Sequence, residues 1–233
     1  MATASFADDT AILATGNTIE ESTNKLQKAT DTVSNWTKRW RIKLNETKSI
    51  HVNFTNVKVN WIPIYLNSQQ VSHANTAKYL GMTLDAKLKW KEHVKKKKEE
   101  LNIKYRKMYW LLGKNSELTI HNKLLLYRQI LKPVWTYGIQ LWGCTKKTNI
   151  KIIQTFQNKV LRGIVNAPWY IRNDNLHRDL QIEYVNDEIR KFATKHIQRL
   201  REHQNSDIRD MLVNWNSTSR LKRQKPLELG QQS

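Results

Sequence analysis

Cysteine is all but absent from this sequence: Cys144 stands alone among 233 residues. No internal disulfide can form, and no zinc site built on cysteines. Cys144 reads as a small buried apolar residue rather than a reactive thiol. Glycine and proline are scarce, at seven and four, which argues against fibrous and low-complexity disordered chains. No apolar run approaches the roughly 18 residues of a membrane-spanning helix. The longest apolar-rich stretch, Ile130 to Cys144, is interrupted by Lys132, Pro133 and Gln140. No basic segment followed by an apolar stretch opens the chain, so no secretory signal is read there. With the cysteine count, this predicts an intracellular setting, nucleus or cytoplasm, and no membrane partner. Acids are also in deficit: 20 Asp and Glu face 40 Lys and Arg, a formal net charge of +20. A dispersed excess of that size predicts a polyanionic partner, with nucleic acid favoured over membrane.

What is present suffices for a packed core. Apolar residues make up 39% of the chain and include nine Trp, enough for one large domain or two small ones. Two short apolar runs, Ala2 to Ala7 and Thr10 to Ala14, flank Phe6-Ala7-Asp8-Asp9. That layout predicts a hairpin with two adjacent carboxylates at its tip, a seat for a hard divalent cation. Asp is common in turns, so the pair alone is weak evidence.

Thr18-Ile19-Glu20-Glu21 reads as a capping box. Ile19, Leu26, Ala29, Val33, Trp36 and Trp40 follow at helical spacing, which predicts a helix of about six turns. Alternation predicts short strands at Ile42 to Leu44 and Ile50 to Phe54. A further apolar segment, Ile62 to Leu66, precedes an Asn67-Ser68 turn, and Tyr79 to Leu84 closes this β-rich part. From about residue 86 the pattern turns helical. One helix carries Val94, Leu101, Tyr105, Met108 and Leu112. A second runs from about Leu118 to Trp142, kinked or split at Pro133. A third carries Ile150, Ile153, Phe156, Val160, Leu161 and Ile164. The last carries Val185, Ile189, Phe192, His196 and Leu200. The class is therefore α+β followed by an all-α section. The polar, basic tail after Asn214 is expected to fray. The histidines lack paired metal-ligand spacing and read as solvent-facing or structural, with His196 on an apolar face.

Six segments in order carry a resemblance. Ser5-Phe6-Ala7-Asp8-Asp9-Thr10-Ala11-Ile12-Leu13 resembles the aromatic-x-Asp-Asp box of reverse transcriptases, in the form found in jockey-type non-LTR retrotransposons. Leu44-Asn45-Glu46-Thr47-Lys48-Ser49, with the strand to Phe54, resembles the next palm motif. Lys78-Tyr79-Leu80-Gly81-Met82-Thr83-Leu84-Asp85 resembles the primer grip, and Leu88 to Val94 resembles the start of the thumb. Leu131 to Gly138 with Leu141-Trp142-Gly143 is similar to the thumb helix. Asn166 to Asn173 with Leu176-His177-Arg178-Asp179-Leu180 is similar to the C-terminal region. The resemblance covers nearly the whole chain. It implies the C-terminal part of a polymerase palm over 1–85 and a thumb-like helical domain over 86–165. A helical extension over 166–213 and a flexible basic tail over 214–233 would follow.

It also implies roles. Asp8 and Asp9 would hold catalytic Mg2+ for two-metal phosphoryl transfer on an RNA template and DNA primer. Phe6, Tyr79, Leu80 and Gly81 would hold the primer strand. Gly81 suits a close backbone approach to phosphate, or equally a β-bulge. Lys48 would stabilise the pyrophosphate leaving group, though it reads as well as an exposed strand-end lysine. Lys95, Lys96, Lys97, Lys98, Lys104, Arg106 and Lys107 would meet the hybrid duplex backbone. Tyr105, Tyr109 and Trp110 interleave with them, and such rings can stack on bases; helical spacing puts Tyr105 and Met108 in the core instead, and the rings are not read as base contacts.

The family's pattern also has fingers and a first half of the palm that carries another metal-binding Asp. None of that lies in these residues. The expectation is a polymerase fragment that binds nucleic acid without extending a primer by itself. The alternative is a non-catalytic basic RNA- or DNA-binding module.

Overall fold

A hairpin opens the chain. The computed structural model describes residues 1–57, 60–206, 208–209 and 225–230. In it β1 (Ala2–Phe6) pairs antiparallel with β2 (Asp9–Leu13), Ala2 opposite Leu13 and Phe6 opposite Asp9. Ala7 and Asp8 make the two-residue turn. Ala7 has φ 51°, and a positive φ at the first central residue alone is the type II′ pattern that matches strand twist.

Helix α1 (Ile19–Arg39) follows. The Thr18 hydroxyl accepts from the Glu21 N–H at 3.1 Å, and the Glu21 carboxylate accepts from the Asn17 N–H at 2.8 Å. The expected capping box forms, with its return bond one residue further back. The Lys25 ammonium bonded to Glu21, with the Asn17 N–H, holds that carboxyl below its ordinary range. The helix buries Thr23, Ala29, Ser34 and Thr37, and leaves Trp36 and Trp40 exposed. Of the apolar series expected to face a core, only Ala29 is fully buried. The reason is one of size: the helix is about 31 Å long, while two-residue strands such as those beneath it span about 7 Å.

The strands that follow are short. β3 (Ile50–His51) pairs in parallel with β6 (Ser72–His73); β4 (Tyr65–Leu66) pairs antiparallel with β5 (Gln69–Gln70), and β7 (Thr76–Tyr79) with β8 (Met82–Asp85). The strand expected at residues 42–44 does not form. Glu46–Lys48 is a 3-10 turn instead, because the Asn45 side chain accepts from the Lys48 N–H at 3.1 Å and the Thr47 hydroxyl at 2.8 Å. Such local side-chain bonds compete with a strand ladder. Pro63 has no N–H to give, and pairing is confined to Tyr65–Leu66. The run Tyr79 to Leu84 is not one strand: it folds back at Leu80-Gly81, with φ 45° and 73°. Two successive positive φ values define a type I′ turn, so Gly81 serves that turn and not a bulge. Ile64, Leu66 and Val71 form the small core, with Leu26 and Leu44 against it. The Gln27 amide clamps Tyr65, accepting its N–H and donating to its carbonyl, both at 2.9 Å.

Residues Met1–Lys89 form this α+β unit, and Trp90–Ser233 form a second, helical one. The second contains α2 (Lys91–Lys107), α3 (Tyr109–Leu112), α4 (Ile120–Leu126), α5 (Lys132–Thr136), α6 (Ile139–Trp142), α7 (Lys147–Val165), α8 (Asn173–Asp179) and α9 (Val185–Arg201). All six apolar positions expected on α7 are buried. Of the helix expected from 118 to 142, a continuous helical run from Ile120 to Thr136 forms and passes through Pro133. A π-type turn over Tyr127–Leu131 precedes the proline, and such a widened turn accommodates the bond that proline cannot make. The break falls instead at Tyr137-Gly138, where Gly138 has φ 64°. On α9 the buried stripe is Val185, Ile189, Ala193 and Ile197, while Phe192 is exposed and His196 only half-buried.

Small Ala193 leaves room for the 3-10 turn Pro226–Gly230, whose Leu227 and Leu229 are buried. A Cβ on Gly230 would come within 2.6 Å of Ile197 Cδ1. The rest of the tail expected to fray, 214–224 and 231–233, lies outside the described residues. At the centre of the unit, the Gln157 amide donates to the Tyr127 hydroxyl and the Glu183 carbonyl, each at 3.0 Å. Burial raises the Tyr127 hydroxyl above its ordinary range. No helix among the described residues is long and apolar enough to cross a membrane.

Candidate active site

The acid pair occupies the tip of the first hairpin. Asp8 is the second turn residue and Asp9 the first residue of β2, opposite Phe6. Both acids and the Phe6 ring are exposed. Among the described residues neither carboxylate forms an ion pair, so both are open to a cation. The flanking positions are small: Ala4 pairs with Ala11, and α1 packs along β2.

A second hairpin meets the first. The Tyr79 hydroxyl donates to the Ala4 carbonyl at 3.5 Å, the long end of hydrogen bonding. Tyr79 ends β7, and Leu80-Gly81 is the tight turn after it. Segments some 75 residues apart are thereby brought side by side, with Tyr79 reaching the strand that leads to Phe6 and Asp8. Lys48 belongs to a different element. It is exposed in the 46–48 turn before β3, which belongs to another sheet. Leu80 holds φ 45°, a conformation that costs a branched side chain energy. Strain of this kind gathers at functional turns.

Among the described residues, no three or more His, Cys, Asp or Glu side chains cluster as a metal centre. Asp8 and Asp9 offer two adjacent exposed carboxylates. That donor set fits Mg2+, which keeps much of its water and takes one or two carboxylates plus substrate phosphates.

In the helical unit α2 divides the basic residues. Lys95 and Lys96 face solvent, as do Arg106 and Lys107. Lys97 turns inward: its ammonium lies 3.3 Å from the Glu100 carboxylate and 5.7 Å from the Tyr137 ring centroid. Lys104 meets the same Glu100 at 3.5 Å, and Lys98 is half-buried. His93, one turn earlier, is 1% exposed between Trp90 and Trp142. Burial, reinforced by Lys97 and Lys96, pushes its pKa down to about 4. His177 is buried too, its Nδ1 2.7 Å from the Ile182 carbonyl. Both are structural. Cys144 is half-buried, its thiol donating to the Leu141 carbonyl at 3.0 Å.

Of the exposed rings, the sequence reading singled out Tyr109 and Trp110, interleaved with basic residues, but not Trp169 and Tyr170. Trp169 and Tyr170 stand in solvent on a loop tied down by Arg162, whose guanidinium donates to the Pro168 and Ile171 carbonyls and to Asn173. Tyr109 and Trp110 are exposed as well. Adjacency was the available signal: consecutive aromatics on one helix cannot both face one core.

The chain is 38% identical over 226 residues to a "Probable RNA-directed DNA polymerase from transposon X-element" of Drosophila melanogaster, covering 97% of this chain and 25% of that protein. It is 34% identical over 224 residues to the "RNA-directed DNA polymerase from mobile element jockey" of the same organism, covering 94% and 24%. A "Probable RNA-directed DNA polymerase from transposon BS" is 35% identical over 211 residues, covering 90% and 23%. The chain therefore spans about a quarter of the length of the curated relatives it matches. No family model matches it, and no solved structure does.

Proposed function

We propose that this chain, homologous along nearly all its length to one quarter of the jockey-type RNA-directed DNA polymerases, supplies the acid turn and nucleic-acid grip of such an enzyme. Residues 1–85 correspond to the C-terminal part of the palm, 86–165 to the thumb and 166–213 to an extension of it. The observation that carries the reading is the Tyr79 bond to Ala4, in a chain whose homology spans both hairpins. It supports the reading because Tyr79, at the start of the primer-grip-like turn, then meets the strand that leads into the acid turn.

Asp8 and Asp9 hold Mg2+. When bound, the cation supplies charge neutralisation on the phosphates and activation of the primer 3′-oxygen. The residues around it position the reactants. Phe6 and the Tyr79-Leu80-Gly81 turn hold the primer end beside the acids, and exposed Gly81 lets backbone approach a phosphate. Lys48 offers its ammonium to the leaving pyrophosphate. Lys95, Lys96, Lys98, Arg106 and Lys107 contact the phosphates of the RNA–DNA hybrid. Lys97 and Lys104, held by Glu100, contribute less. These contacts position the duplex without reading its sequence.

The isolated chain binds hybrid without extending a primer, since two-metal transfer draws on more ligands than one pair of acids. Titrating a fluorescent hybrid across a salt series checks this. Five phosphate contacts predict a log–log slope of about −4 to −5. Asp8→Asn leaves that affinity unchanged in the absence of divalent cation. A chain that does not bind hybrid at low salt refutes the grip, and Mg2+-dependent extension abolished by Asp8→Asn refutes the claim of inactivity.

A further inference from the structure

Tyr105, Tyr109 and Trp110 lie among basic residues in the sequence, and the structure separates them. Tyr105 is 5% exposed and sits edge-on to Phe156. Tyr109 is 53% exposed and Trp110 74%. Both belong to α3, whose Leu112 is fully buried. Leu112 takes the single core-facing position of that one turn and leaves the two rings outside. Burying a large apolar side chain contributes about 1.5–3 kcal/mol, and neither ring gains that in full.

The rings do not stand on a loose segment. The Gly113 N–H donates to the Tyr109 carbonyl at 2.7 Å. The Gly113 carbonyl accepts from the Lys123 ammonium at 2.9 Å, and the Ser116 carbonyl accepts from the same ammonium at 3.2 Å. Lys123 is itself 5% exposed, a buried cation that fixes the chain leaving α3. The Tyr109 ring lies over Gly113, where a Cβ would come within 3.1 Å of it. Its edge is set against Tyr105, centroids 5.8 Å apart. One side of the ring is thus fixed, and the other faces water.

The surroundings are cationic. Arg106 and Lys107 precede the pair by two to four residues and Lys114 follows it, all exposed. On the helix before them, Glu100 is already engaged by Lys97 and Lys104. Arg106, whose Nε donates to the Asn102 carbonyl at 3.4 Å, forms no ion pair among the described residues, and neither do Lys107 and Lys114. A fixed Tyr109 ring and an exposed Trp110 ring beside such cations suit a ligand with π faces and a phosphate backbone. A duplex hides its base faces in its own stack, so the ligand has unpaired bases. We propose that Tyr109 and Trp110 form a stacking site for unpaired bases of single-stranded nucleic acid, whose phosphates meet Arg106, Lys107 and Lys114. This rests on the nucleic-acid reading above and adds a ligand class to it.

The test uses the full chain, a short fluorescent oligothymidylate, the same strand with abasic sites, and an RNA–DNA hybrid. Y109A/W110A is expected to bind oligothymidylate at least about tenfold more weakly. Y109F/W110F restores binding, and affinity for the hybrid does not change. The parent binds the abasic strand as weakly as the alanine variant binds the normal one. W110A alone gives a partial loss, and its nearly solvated ring leaves folding intact. Unchanged oligothymidylate affinity in Y109A/W110A overturns the stacking site, as does equal affinity of the parent for abasic and normal strands. In both cases, retained hybrid binding leaves the grip reading standing, and the rings then belong to a protein contact. A parent that binds neither ligand overturns both.

Discussion

Two residues carry predictions by themselves. His93 sits between Trp90 and Trp142 with its pKa near 4, against about 6.5 in an unfolded chain. As pH falls, the unfolded chain takes up the proton first. Stability is therefore intact above pH 6.5 and is lost progressively between about pH 6.5 and 4, by about 3 kcal/mol for this residue. His51, His177 and His196 are shifted the same way by burial and steepen the same limb. Urea unfolding across a pH series, comparing the parent with His93→Phe, isolates the share of His93. Leu80 is the second case. Asn-Gly is the favoured pair for its type I′ turn, and Leu at φ 45° is strained. Leu80→Asn should stabilise the protein by about 0.5–1 kcal/mol and weaken hybrid binding. A variant that is more stable and binds equally well would show that Leu80 does not touch the primer.

Among the elements, the long helices were legible and the short pieces were not. α7 and α1 announce themselves by period and cap: Thr18 and Glu21 for one, the stripe from Ile150 to Ile164 for the other. α8 has only seven residues, too few for a period to register. The strands failed where local chemistry competed, at Asn45 and at Pro63. The joint between α5 and α9 was equally hidden, because it depends on Lys132 and Glu188, 56 residues apart, forming an ion pair with Glu188 almost fully buried. Removing one partner strands a buried charge. Lys132→Met should cost about 3 kcal/mol, while Lys132→Met with Glu188→Leu should return most of it. Chemical denaturation of the parent, both single variants and the double variant measures this. Equal losses in the single and double variants would mean the pair acts through packing alone.

At the scale of the molecule, the two units differ in what holds them. Trp90–Ser233 buries Trp135, Trp142, Tyr127, Leu101, Leu131 and Ile153 completely or nearly so. Met1–Lys89 has Ile64, Leu66 and Val71 at its centre, and leaves Phe6, Trp36, Trp40, Ile42 and Phe54 exposed. A small unit with so little buried surface is marginal by itself. Produced separately, residues 90–233 should unfold cooperatively in urea, while residues 1–89 should show a shallow, non-cooperative transition. Near-ultraviolet circular dichroism of the two pieces reads the difference, and a sharp transition in residues 1–89 would contradict it.

The sequence by itself determined the α+β-then-helical order, the basic character, the acid turn and the kinship with retrotransposon polymerases. Each is a local or compositional property: a period, a cap, a charge balance, or a short string of residues in order. Tertiary structure decided which residues meet. It brought Tyr79 to Ala4, drew Lys97 onto Glu100 and away from solvent, buried His93 and left Trp110 outside. Those outcomes depend on which of several chemically suitable faces finds a partner across long stretches of chain, and no local pattern encodes that choice.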